Sequence, residues 1–199
     1  MRKTVPSDAV LIPKQAKQAF HGVIYDTYHW QQKLFDGSET TFEMLKRPDT
    51  VSTIGITDDR IVVIKDEQPY RGMRLSFPGG RVNDTDTDIL TAAKREIHEE
   101  TGYTFNQWRL VRVWQPQTKI EWFIYLFIAW GGTKANAPHL DAGEKITTDL
   151  LTFEEVKRLV LSGNRYLRES EEIFIETNTL SDLLNIPEFR GQEIETTAA

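Results

Sequence analysis

The chain has 199 residues, with 30 acidic against 24 basic side chains for a net charge of −6, 39% hydrophobic residues and no cysteine. That length suffices for one domain with a sizeable core and falls short of two ordinary ones, while the negative charge argues against a general binder of nucleic acid or anionic membrane. Without cysteine there is no disulfide, thiolate metal site or cysteine nucleophile, and a reducing compartment is the fitting one.

The opening MRKTVPSDAVLIPKQAKQ is positively charged but lacks the continuous apolar stretch of a signal peptide. Residues 1–50 read as an N-terminal extension. From Phe20 the pattern turns strand-like: HGVIYDTYHWQQ, an Asp36-Gly37 turn and ETTFEMLKR predict a hairpin. VSTIGIT and RIVVIKD around Asp58-Asp59 predict a second hairpin, and MRLSF leads into Pro78-Gly79-Gly80.

A helix is expected next, over about 87–101. The Thr/Asp run at 85–88 supplies N-cap candidates, ILTAAKREIHEET contains good helix formers, and Gly102 sits where a left-handed C-cap belongs. Counted at about 100° per residue from Ile89, Glu96, Glu99 and Glu100 fall near 340°, 280° and 20°. They share the stripe of Ile89, Ala92 and Ala93, so an inward-facing stripe turns acidic. Three acids in a last helical turn oppose the helix dipole, and each like-charged pair four apart costs about 0.2–0.5 kcal/mol more. Hard oxygen ligands facing a Gly-Gly loop are what Mg²⁺ or Mn²⁺ requires, and a cation removes the repulsion. Arg95, one turn before Glu99, can pair with it and set its rotamer.

WRLVRVWQ and IEWFIYLFIAW predict two further strands, and the apolar run at 122–130 is too short to span a bilayer. Continuous apolar runs such as IVVI and WFIYLFI imply a sheet covered on both faces. TFEEVKRLVLSGN reads as a second helix, with Thr152 and Glu155 in a capping-box pattern, and SEEIFIETNTLSDLLN reads as a third, closed by Pro187. The tail GQEIETTAA reads as frayed. The expected architecture is α/β: an α/β/α sandwich on a mixed sheet with additional N-terminal strands. The divisions are residues 1–50, a main domain at 51–187 and a tail at 188–199. A soluble, cytoplasmic protein is expected.

Gly80 followed by Arg95-Glu96-Ile97-His98-Glu99-Glu100-Thr101-Gly102-Tyr103 resembles the Nudix box. The spacing from Gly80 to Arg95 is one residue longer than that pattern, and the acid of its first half is replaced by Asp86 or Asp88. Phe20-His21-Gly22, the stretch from Trp30 to Gly37, Lys46-Arg47 and Gln68-Pro69-Tyr70-Arg71 are similar to the ADP-ribose pyrophosphatase branch. Ser76-Phe77-Pro78-Gly79-Gly80 departs from that branch, which usually carries an acid at the position of Ser76. The resemblance implies a Nudix-type sandwich and a homodimer built in part from the N-terminal strands. It also implies a metal site formed by the Gly79 carbonyl, Glu96, Glu99 and Glu100.

Hydrolysing P–O–P requires cations on the phosphate oxygens, a positioned water and a base. Glu144, in the loop Leu140-Asp141-Ala142-Gly143-Glu144, is the first candidate base, and a box glutamate such as Glu99 competes with it. Arg95 is the orienting arginine. Arg47 and Arg71 suit phosphate oxygens, and Tyr28 and Trp30 could stack on a nucleobase. His98 is expected to face solvent, and His21, His29 and His139 show no metal-ligand spacing. The implied activity is Mg²⁺-dependent (or Mn²⁺-dependent) hydrolysis of a small nucleoside diphosphate derivative, foremost ADP-ribose to AMP and ribose 5-phosphate. Another nucleotide sugar, a dinucleotide or a capped RNA end is the alternative substrate, and a non-catalytic nucleotide sensor is the alternative of another class. No membrane partner and no general nucleic-acid partner are expected.

Overall fold

A computed structural model describes residues 2–140 and 143–195. The chain begins with β1 (Arg2–Val5), β2 (Lys17–Phe20), β3 (Asp26–Lys33) and β4 (Glu39–Lys46). It continues through β5 (Thr50–Thr57), β6 (Arg60–Gln68) and β7 (Arg71–Ser76) to the helix α1 (Ile89–Thr101). After it come β8 (Tyr103–Trp114), β9 (Ile120–Glu121), β10 (Ile124–Lys134) and β11 (Lys145–Leu151). The helices α2 (Phe153–Leu161), α3 (Glu171–Glu176) and α4 (Leu180–Leu184) precede a last strand, β12 (Gln192–Glu195).

The central sheet has the order β11-β6-β5-β10-β8, with β7 added beside β6. It is mixed, because β10 runs parallel to β5 and antiparallel to β8. Period-two alternation assigns its residues to two cores. From β10, Tyr125 and Phe127 join Val51, Ile89, Ala92 and Ala93 beneath α1. Leu126 and Ile128 point the other way, into a core closed by Phe153, Val156, Val160, Phe174 and Leu183 of α2, α3 and α4. Helices therefore cover both faces, giving the expected sandwich, and the doubly covered strands are the continuously apolar ones.

The β5–β6 turn places Asp58 and Asp59 at φ 47° and 56°, the left-handed pair that a two-residue hairpin connection needs and that Asp tolerates. β2, β3, β4 and β9 form a separate four-stranded sheet, with the expected β3–β4 hairpin at its centre. Helix α1 is capped by Asp88, whose side chain accepts from Thr91 N–H at 2.7 Å, and it ends at Gly102 with φ 73°.

Two expectations are corrected. SEEIFIETNTLSDLLN is not one helix: α3 ends at Glu176, and α4 restarts with Thr179 accepting from Asp182 N–H while the Asp182 carboxylate takes the N–H groups of Asn178 and Thr179. The Asp182 and Thr179 side chains take backbone N–H groups that a continuous helix would pair with its own carbonyls. Nor is the tail frayed throughout, since β12 pairs antiparallel with β1, from Arg2↔Glu195 to Val5↔Gln192. Val5 is fully buried and Ile194 packs against the same core, which anchors both strands. Tail residues 196–199 lie outside the described residues. Among the described residues, no helix is long and apolar enough to cross a membrane.

Candidate active site

The segment after β7 runs back along β5. Thr53 N–H donates to the Pro78 carbonyl, Val51 N–H to that of Gly80 and Val82 N–H to that of Asp49, each at 2.9 Å. This ribbon holds Gly79 and Gly80 over the last turns of α1. A side chain at Gly79 would bring Cβ to 2.1 Å from the Val51 carbonyl oxygen, and one at Gly80 to 2.5 Å from Glu96 Oε2. The two glycines are thus required for different reasons, one by the sheet backbone and one by an acid.

Glu100 is 7% exposed, and its Oε2 accepts the Gly79 N–H at 2.8 Å. Burial pushes its carboxyl well above the usual range, and the charges of Glu96, Glu144 and Asp66 push the same way. Glu96 is raised as well, chiefly by burial, with Arg95 opposing and Glu99 and Glu144 adding to the shift. Glu99, on the flank of the helical stripe, is the more exposed of the three.

Arg95 carries the network. Its Nη1 donates to Glu96 at 2.8 Å and to Glu99 at 3.1 Å, so the expected pairing with Glu99 is present. Its larger partner is Asp86, which takes Nε at 3.0 Å and Nη2 at 2.8 Å in a bidentate fork, while Nη2 also reaches the Arg81 carbonyl at 2.9 Å. The Arg95 hydrogen bonds hold the Asp86 carboxyl below its ordinary value, and Asp86 in turn keeps the guanidinium charged. Of the two aspartates, Asp86 binds Arg95 and Asp88 caps the helix.

Gly79, Gly80, Arg95, Glu96, Glu99 and Glu100 line a cleft of about 780 Å³ that also contains Glu144, Arg47 and Arg71. Gly79, Arg95, Glu96, Glu99, Glu100, Glu144, Arg47 and Arg71 are therefore brought together. Arg47 lies 4.4 Å from the Trp122 ring and 5.6 Å from that of Tyr25. Arg71 pairs with Asp66. Tyr28 and Trp30 do not line the cleft, which corrects their expected place there. They lie within β3, and Trp30 sits directly across from Phe42, at 5.9 Å between rings, donating its Nε1 to Gln32. The tyrosines that do reach the cleft are Tyr25, just ahead of β3, and Tyr70.

Gln68 and Tyr70, from the stretch similar to the ADP-ribose pyrophosphatase branch, line the cleft as well, and so do Asp66, Arg81, Asn83 and His139, to which the sequence assigned no role. His139 is tied to the box by its N–H bond to the Glu99 carbonyl at 2.7 Å. His98 is half-buried rather than solvent-facing, with Nδ1 buried. Asp141 and Ala142, beside Glu144, lie outside the described residues.

The donor set fits a divalent cation. It is a group of hard carboxylate oxygens in mutual repulsion, and the buried Asp66 Oδ1 has no hydrogen-bond partner among the described residues. Among those residues, no three acids are already gathered as a metal cluster; in this arrangement Arg95 takes Glu96 and Glu99 and the Gly79 N–H takes Glu100.

A family model described as NUDIX domain matches residues 46–169. The chain is 27% identical over 157 residues to the methanol dehydrogenase activator of Bacillus methanolicus, covering 76% of this chain and 84% of that one. It is also 27% identical over 176 residues to the ADP-ribose pyrophosphatase of Bacillus subtilis (strain 168), covering 87% and 81%. A crystal structure of an ADP compounds hydrolase superposes with a TM-score of 0.64 over 81% of this chain and 90% of that one, at 16% identity, a likeness of fold.

Proposed function

The chain belongs to the NUDIX family, and we propose that it hydrolyses the diphosphate linkage of a nucleoside diphosphate derivative, with ADP-ribose, cleaved to AMP and ribose 5-phosphate, as the substrate. The observation that carries this reading is the lining of the cleft, where the carboxylates beside Gly79 and Gly80 meet the guanidinium groups of Arg47 and Arg71. A diphosphate suits such a lining, with its oxygens shared between the arginines and a cation on the acids. The choice of ADP-ribose is supported by the Bacillus subtilis relative and by Gln68 and Arg71 lining the cleft.

Gly79, Glu96, Glu99 and Glu100 would hold Mg²⁺ or Mn²⁺. Bound there, the cation would neutralise phosphate oxygens and lower the cost of charge developing on the leaving oxygen. Arg95, fixed by Asp86, orients Glu96 and Glu99. Glu144 is the base in this reading, which its position in the cleft lining supports, and Glu99 is the competing base. Water adds OH to one phosphorus, the bridging oxygen departs with the other phosphate, and the carboxylate holds the proton released.

A homodimer formed through the N-terminal sheet belongs to the same reading, supported by Phe20, Val23 and Ile24, which are 63%, 97% and 55% exposed beside the cleft. Sedimentation at several concentrations tests it. A cytoplasmic location fits the cysteine-free sequence.

The substrate is tested by incubating the protein with Mg²⁺ or Mn²⁺ and a panel of ADP-ribose, other nucleotide sugars, dinucleotides and capped RNA, with products separated by chromatography. AMP and ribose 5-phosphate from ADP-ribose at the highest kcat/KM is the expected result. A better substrate elsewhere in the panel overturns the assignment to ADP-ribose. Binding without turnover of any member overturns the catalytic reading of the site.

A further inference from the structure

A second group of cations adjoins the cleft and takes no part in the chemistry above. β7 pairs with β6 through Asp66↔Arg74 and Gln68↔Arg71, with a register shift between them. Three steps on β7 therefore match two on β6, and this bulge returns Arg71 and Arg74 to the face shared by Asp66 and Gln68. Since Asp66, Gln68 and Arg71 line the cleft, Arg74 continues its wall, about 10 Å further along the strand.

Arg74 lies 4.5 Å from the ring of Tyr166, and Arg165 lies 4.8 Å from the same ring while donating to its hydroxyl at 2.5 Å. The loop bearing them is fastened to β7 by Asn164, which donates to the Leu75 carbonyl and accepts from Tyr166 N–H at 3.0 Å. The Arg165 hydrogen bond, with the charges of Arg165, Arg74 and Arg71, lowers the Tyr166 hydroxyl's affinity for its proton. Only Arg71 has a carboxylate partner; among the described residues no acid pairs with Arg74 or Arg165, and Arg74 Nε is buried without a hydrogen bond.

Two unneutralised arginines on one ring repel each other, and stacking on an aromatic at the surface returns about 0.5–1 kcal/mol. In a chain of net charge −6, with acids in excess, stability alone does not call for such a grouping. An anion shared between the two guanidiniums does.

We propose that Arg74, Tyr166 and Arg165 form a second phosphate subsite beside the cleft, which admits derivatives of the substrate that bear a further phosphate monoester on a sugar, beyond the diphosphate that is cleaved. This rests on the nucleotide-hydrolase reading for what fills the cleft, but the subsite can be tested without turnover. Tyr166 orients Arg165 through its hydroxyl and carries Arg74 on its ring.

The experiment is isothermal titration in buffer free of divalent cations. Adenosine 2′,5′-bisphosphate and adenosine 3′,5′-bisphosphate are compared with AMP, and ribose 1,5-bisphosphate with ribose 5-phosphate. At least one bisphosphate should bind about tenfold or more tighter than its monophosphate, the worth of one or two charge-assisted hydrogen bonds. Arg74→Ala with Arg165→Ala should remove that preference, leave monophosphate binding unchanged, and keep the parent kcat/KM for ADP-ribose. The preference should also weaken steeply with salt. No preference for any bisphosphate, or a preference that survives the double substitution, overturns the proposal. Should the preference hold while nothing in the substrate panel is hydrolysed, the subsite stands and the catalytic reading falls.

Discussion

Substituting Lys3 by Met probes how β1 supports the cleft. Lys3 Nζ is 2.6 Å from Asp49 Oδ2, and the two side chains are 6% and 8% exposed. Asp49 Oδ1 takes Phe123 N–H at 2.9 Å, and Lys3 lies 4.8 Å over the Phe123 ring. Attraction at that separation is about 6 kcal/mol at an effective dielectric of about 20, and withdrawing each ion from water costs several kcal/mol. The intact pair is therefore close to neutral for stability, and burial outweighs Lys3 in holding the Asp49 carboxyl above its usual value.

Lys3→Met leaves a buried carboxylate with one N–H, at a cost of about 3–5 kcal/mol. With a urea slope of about 2 kcal/mol/M, the unfolding midpoint should fall by about 1.5–2.5 M. Adding Asp49→Asn should restore stability to within about 1–2 kcal/mol of the parent, because the amide oxygen still accepts Phe123 N–H and no charge is stranded.

The sign with pH follows from the raised carboxyl. The folded state binds the proton more tightly than the unfolded one, so the penalty is complete above the folded value and disappears as pH falls from there to the ordinary value of 3.8. The Lys3→Met deficit should accordingly shrink in acid. A deficit under about 1 kcal/mol, no repair by Asp49→Asn, or no relief in acid would each refute the reasoning. Because Pro48 and Thr50 flank Asp49 and line the cleft, the single variant should also raise KM.

Gly80→Ala drives Cβ into Glu96, a side chain that can turn away, so activity should fall about 10–100-fold with unfolding little changed, whereas Gly79→Ala meets the Val51 backbone and should lower stability as well. Asp86→Asn removes Arg95's main partner and should cost about 1.5–3 kcal/mol by urea unfolding at neutral pH. Since the Asp86 carboxyl is held low, its contribution is present above 3.8 and lost as pH falls through the lowered folded value, so the variant should lose less of its stability across that acid range than the parent. Glu100→Gln should abolish turnover and weaken Mn²⁺ binding measured by titration; Glu144→Gln should slow turnover with Mn²⁺ affinity nearly intact, and parental activity in the latter would move the base elsewhere.

The parts of the molecule visible in its sequence are those decided within a turn or two of chain. The helix caps at Asp88, Gly102 and Thr152, the Asp58-Asp59 turn and the inward register of Glu96 and Glu100 all follow from local spacing. What escaped notice depends on partners far away. Asp66 joins the site only because β6 lies beside the end of α1, and β1 and β12 are too short to announce themselves until they meet. Tyr28 and Trp30 illustrate a different loss: strand aromatics look alike whether they meet a ligand or, as Trp30 does with Phe42, the neighbouring strand. The split between α3 and α4 was written locally, in Thr179 and Asp182, but the helical periodicity on either side hid it.

The placement of β10 has a consequence for synthesis of the chain. Both of its partners, β5 and β8, precede it, so the middle of the sheet can zip as soon as this strand leaves the ribosome. The helices that cover Leu126 and Ile128 do not start until Phe153. At about 5–20 residues per second, one face of the most apolar strand waits a second or more for its cover, and longer for α3 and α4. A chain stalled in that interval presents the middle of the sheet with a bare apolar side and the β11 edge still to be added, so ribosome pausing between β10 and α2 is where aggregation would begin and where a holding chaperone would act.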